Sequence, residues 1–102
     1  MNLSMLNKAL QLKSRLEKAQ KELAKMTVEA QSGKGAVKIT ANGQQKILSI
    51  TISPEVIDPD RANRLEELVL KAVTEAMDKS KKLAAKHLGK LTKGIKIPGV
   101  TE

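Results

Sequence analysis

Residues Gly35-Ala36-Val37-Lys38-Ile39-Thr40-Ala41-Asn42-Gly43-Gln44-Gln45-Lys46-Ile47-Leu48-Ser49-Ile50-Thr51-Ile52-Ser53-Pro54 hold the strongest β pattern in the chain and divide two long helical patterns. Val37, Ile39 and Ala41 alternate with polar residues up to Asn42-Gly43, a dipeptide suited to the positive-φ positions of a type I′ turn. The expectation is a β-hairpin with a two-residue loop. Ala41 is then opposite Gln44, Ile39 opposite Lys46 and Val37 opposite Leu48. One face collects Val37, Ile39, Leu48, Ile50 and Ile52 and needs a cover. The other, with Lys38, Thr40, Gln45, Ser49 and Thr51, suits water, as in an antiparallel sheet covered on one side.

Working outward, Thr27-Val28-Glu29-Ala30-Gln31 reads as a short first strand, linked by Ser32-Gly33-Lys34-Gly35 to the hairpin. Gly33-Lys34-Gly35 is not a phosphate loop: that motif needs Gly where Val28 stands and Ser or Thr where Gly35 stands. Before the strand, Met5, Ala9, Leu12, Leu16, Ala19, Leu23 and Met26 recur at alternating spacings of four and three. This heptad seam predicts a helix over about 3–26, roughly 36 Å long. The seam packs either inside the domain or partly against a second chain.

After the hairpin, Ser53-Pro54-Glu55 ends the last strand, Asp58 is a good N-cap and Pro59 suits the first helical position. Ala62, Leu65, Leu68, Val69, Ala72, Val73, Ala76, Met77, Leu83 and Ala84 keep a helical period to about Leu88-Gly89. The expected organisation is a single α+β domain over residues 1–102. It has a helix at about 3–26, meander strands at about 27–31, 36–41 and 44–53, a helix at about 59–88, and a loose tail at about 90–102.

The chain has 102 residues and no Phe, Tyr, Trp or Cys, so Leu, Ile, Val, Ala and Met must build a small core. Oligomerisation is therefore expected. Without aromatic rings the usual stacking platforms for single-stranded nucleic acid are missing, and without Cys there is no disulfide, thiolate zinc site or thiol nucleophile. One His and no His pair, with Glu66-Glu67 pointing about 100° apart on a helix, argue against acid–base or metal catalysis. No enzyme activity, cofactor, metal or small-molecule substrate is expected. Neither a secretory leader nor a bilayer-spanning run is present, so the expected location is the cytoplasm, with no membrane partner.

The formal net charge is +8. Lys79, Lys81, Lys82, Lys86, Lys90, Lys93 and Lys96 fall in a run without a carboxylate, and Lys79, Lys82 and Lys86 share one flank of the second helix, with Lys90 joining if the helix continues. Lys8, Arg15, Lys18 and Lys25 make a stripe on the first helix, interrupted by Glu22. Two or three lysines would suffice to compensate the helix dipole. The second helix, at about 45 Å, outruns a strand of about 30 Å, so its lysine-rich end should overhang the sheet and meet duplex phosphates. The candidate DNA-binding residues are Lys8, Arg15, Lys18, Lys25, Lys79, Lys82, Lys86, Lys90 and Lys93.

Several segments together resemble the YbaB/EbfC family of bacterial nucleoid-associated proteins. They are the Lys- and Gln-rich first helix, Gly35-Ala36-Val37-Lys38 followed by Asn42-Gly43, Ile50-Thr51-Ile52-Ser53-Pro54-Glu55, Leu65-Glu66-Glu67-Leu68-Val69, Ala72 to Lys79, Thr92-Lys93-Gly94 and Pro98-Gly99. The resemblance implies an α-β-β-β-α protomer, a homodimer with projecting helical arms, binding of double-stranded DNA by the outer helices, and a nucleoid location. The leading functional expectation is a non-enzymatic DNA binder with weak sequence preference that alters DNA conformation. The alternative is a helical adaptor that docks a protein partner and touches ribosomal RNA.

Overall fold

The computed structural model describes residues 2–92. Helix α1 (Leu3–Lys25) leads into strands β1 (Thr27–Ser32), β2 (Val37–Asn42) and β3 (Ile47–Ile52), and helix α2 (Ala62–Gly89) follows two short 3-10 turns. This is the expected α-β-β-β-α order, with two long helices flanking a three-stranded antiparallel sheet of order β1-β2-β3. The expected tail lies largely outside the described residues; a 3-10 turn, Lys90–Thr92, closes the described part.

Both helices begin at local signals. The Asn2 side chain accepts from the Ser4 N–H at 3.0 Å and caps α1. Asp58 caps as its residue type suggested, but the turn it caps is the 3-10 turn Pro59–Arg61, where it accepts from the Asp60 N–H; α2 begins one turn later.

The hairpin forms, but with a different turn and register. Ile39 pairs with Ile50 and Val37 with Ile52, and a bulge between Thr40 and Ala41 brings Ala41 opposite Ile47. The connection spans Gly43 to Lys46, and positive φ falls on Gln45 (60°), with Asn42 and Gly43 outside that region. The reason is tertiary. Asn42 is buried, and its Oδ1 accepts from the N–H groups of Gln44 (2.9 Å) and Lys46 (3.1 Å) while Nδ2 donates to the Ala24 carbonyl (3.3 Å). An Asn so occupied builds an Asx-type turn in place of the expected two-residue loop.

Helix α2 covers the sheet, lying on β1 and β2. Ala30, Val37, Ile39, Ala41, Ala72 and Ala76 form the buried centre, flanked by Val28, Ile52, Leu65, Leu68, Val69, Val73 and Met77. Small alanines let the helix and sheet backbones approach closely. Ser32 Oγ pins the other end of the contact by donating to the Leu68 carbonyl at 2.6 Å. The predicted face is apolar as expected, but α2 lies mainly over β1 and β2, and of β3 only Ile52 packs against the buried centre. Leu48, at the bulge, and Ile50 are half exposed.

Candidate nucleic-acid interface

A joint at the hairpin tip sets the directions of both helices. Gly43 donates its N–H towards the carbonyls of Leu23 (2.9 Å) and Met26 (3.0 Å) at the end of α1. A Cβ at Gly43 would stand 2.6 Å from Leu23 Cδ2 and 2.9 Å from the Leu23 carbonyl oxygen, so only glycine lets the helix end sit here. Gln44 Nε2 adds a 2.7 Å hydrogen bond to the Gln20 carbonyl. From α2, the fully buried Ser80 hydroxyl donates to the Asn42 carbonyl and accepts from the Gln45 N–H. Three elements thus meet through backbone groups that a buried site must satisfy.

Beyond the joint both helices leave the sheet. Helix α2 continues past Ser80, and His87 Nε2 comes within 3.8 Å of Glu22 Oε1 on α1. Among the described residues only Ala19 and Leu23 of α1 are buried, and every residue from Asn2 to Lys18 is exposed. The seam residues Met5, Leu12 and Leu16 are exposed, and α1 accounts for much of a molecule 67 Å long and 26 Å wide. The expected α2 overhang is present; the longer projection belongs to α1.

The cationic positions follow from this geometry. Lys82 and Lys86 lie on the exposed part of α2 beyond the joint, Lys90 is exposed at the start of the 3-10 turn that follows, and Lys8, Arg15, Lys18 and Lys25 are exposed along α1. None of these seven makes an ion pair among the described residues. Lys79 differs: its Nζ donates to the Glu29 carbonyl at 2.9 Å and pairs with Glu75 Oε1 at 3.1 Å, tying α2 to β1. Lys93 lies outside the described residues. Between Lys79 and Lys90 α2 also carries Lys81, exposed, and no carboxylate.

Sequence reasoning missed the joint. Asn42-Gly43 was visible as a turn signal, but nothing local marked Ser80 as its partner. Among the described residues no group of His, Cys, Asp or Glu is arranged to hold a metal ion, and no helix is long and apolar enough to cross a membrane.

A projecting basic helical arm on a small α-β-β-β-α unit defines a class, and comparison with known proteins agrees. The model of the YbaB/EbfC DNA-binding family matches residues 1–95, and the chain belongs to that family. It is 48% identical over 79 residues to a nucleoid-associated protein of Desulforamulus reducens, covering 78% of this chain and 75% of the relative. It is 42% identical over 97 residues to a nucleoid-associated protein of Caldanaerobacter subterraneus, covering 95% and 87%. An uncharacterized Helicobacter pylori protein of known crystal structure shares the fold, with a TM-score of 0.75 at 17% identity over 87% of this chain and 94% of that one.

Proposed function

We propose that this protein is a homodimeric, non-enzymatic component of the bacterial nucleoid that binds double-stranded DNA through the lysines of its helical arms and changes the path of the DNA. The observation that carries the reading is the carboxylate-free stretch at the end of α2, where Lys81, Lys82 and Lys86, with Lys90 in the 3-10 turn that follows, stand exposed beyond the sheet. A row of ammonium groups on an exposed helix suits phosphates, which supply affinity without sequence information. The arms offer no compact base-reading constellation, so weak discrimination among sequences follows. Gln11 and Gln20 are the amides nearest that role. The relatives named as nucleoid-associated support the nucleoid as the place of action.

The dimer rests on the uncovered part of the sheet. Ile47, Leu48 and Ile50 of β3 are exposed, and an open apolar groove beside α2 is lined by Ile57, Leu65, Val69, Leu70 and Val73. Of the eight fully buried hydrophobic residues among the described residues, five are alanines: Ala19, Ala30, Ala41, Ala72 and Ala76. So small a core favours a second copy that covers β3 and the groove across a two-fold axis.

Titration of duplex binding against salt tests the DNA reading. Affinity falls log-linearly with salt, with a slope of about −0.9 for each phosphate contacted. Binding insensitive to salt contradicts phosphate recognition and favours an adaptor with an apolar seam.

A further inference from the structure

We propose that the free end of α1 is a peripheral membrane anchor that lies in the headgroup layer of an anionic bilayer. The segment from Leu3 to Leu16 is about 21 Å of helix at ~1.5 Å per residue, and all of it is exposed. Leu3, Met5, Leu6, Leu10, Leu12 and Leu16 are between 37% and 75% exposed, more apolar side chains than a solvated helix face carries by chance. At about 100° per residue they occupy roughly half the circumference, and Ser4, Asn7, Lys8, Gln11, Ser14 and Arg15 share the other half.

The charges select the occupant. No Asp or Glu precedes Glu17, while Lys8, Lys13 and Arg15 are cationic. Pairing this segment with the same segment of another copy through the leucine face would bring the Lys13 ammonium groups of both copies into the contact. Lys13 projects among the leucines, so a dry protein partner would have to bury its ammonium. A bilayer interface avoids both costs. Its anionic headgroups attract the cations, and Lys13 extends its stem along the acyl boundary with the ammonium in the headgroups. No membrane-spanning segment is needed, and the surface proposed for the dimer stays free. With Lys8 and Arg15 on the polar half, the same arm faces DNA on one side and lipid on the other.

Flotation of the full chain with phosphatidylglycerol–phosphatidylcholine vesicles, compared with pure phosphatidylcholine vesicles, tests the proposal. Partitioning should be at least about tenfold stronger onto the anionic vesicles. The pair Leu6→Gln and Leu10→Gln, neutral in charge and on the exposed face, should lower that partitioning by about tenfold or more while duplex affinity is kept. Leu3→Gln with Met5→Gln, nearer the free end, repeats the test should the first pair lose its helical signal. Partitioning that is equal on both vesicle types, absent, or unchanged by the leucine substitutions overturns the anchor; the last would be mere adhesion of a basic protein. A fall in particle mass by light scattering on either double substitution also overturns it, because the face would then join copies of the chain.

Discussion

The Ser80 hydroxyl donates a 2.6 Å hydrogen bond to the carbonyl of Asn42, 38 residues earlier, and accepts from the Gln45 N–H at 3.0 Å. This buried contact joins α2 to the hairpin tip at the point where the helix leaves the sheet. Ser80→Ala removes the hydroxyl shared by the Asn42 carbonyl and the Gln45 N–H, which then keep only their own 3.3 Å hydrogen bond to each other. The expected loss is about 1–3 kcal/mol of unfolding free energy in urea denaturation. A loss below about 0.5 kcal/mol, the level of an ordinary surface substitution, would show that the joint is not a stability element.

Gly43 and Gly89 make a contrasting pair. Alanine at Gly43 puts a methyl group 2.9 Å from the Leu23 carbonyl oxygen, a backbone atom that moves only if the end of α1 moves. Gly43→Ala should cost about 1–3 kcal/mol, as overpacking does. At Gly89, in the last turn of α2, a Cβ meets nothing within 4 Å. Gly89→Ala should raise stability by up to about 1 kcal/mol through helix propensity. Thermal melts of the two variants should move in opposite directions.

Ile50 and Leu70, 48% and 67% exposed, belong to the surface assigned to the second copy. Ile50→Lys with Leu70→Glu should leave the protomer folded by circular dichroism and halve the mass seen by light scattering. A wild-type chain that is monomeric at micromolar concentration would remove the dimer and its paired arms.

The two lysine groups should contribute unequally to DNA affinity. Lys82→Gln, Lys86→Gln and Lys90→Gln together should flatten the log–log salt slope by up to about 2.7, from about 0.9 per contact. Lys79 is left out because it already binds Glu29 and Glu75. The triple Lys8→Gln, Arg15→Gln and Lys18→Gln should cost less, since Glu17 and Glu22 offset part of that field. The reverse ranking in fluorescence anisotropy would move the main interface to α1.

Sequence preference should stay low. In competition of one labelled duplex against many, relative affinities should fall well within the roughly thousandfold lower bound typical of specific regulators.

Element type was legible in the sequence because it is a local property. The heptad seam marks α1, the period from Ala62 to Ala84 marks α2, and alternation marks the strands, with each boundary near a cap, a Pro or a Gly. Charge was equally legible, since the lysine run from Lys79 is a property of composition. The order of elements and the apolar side of the sheet follow from these alone. Tertiary structure decided the register of β2 against β3, because Asn42 and Gly43 are held by Leu23, Ala24, Met26 and Ser80, residues far away in sequence. It also decided which apolar residues are covered. Alternation places Val37, Ile39, Ile50 and Ile52 on one face, but the line of α2 across β1 and β2 buries Val37 and Ile39 and leaves Ile50 open. The seam of α1 follows the same rule: its period forecasts a helix with an apolar stripe, and only the departure angle set at Gly43 leaves Leu3 to Leu16 in solvent.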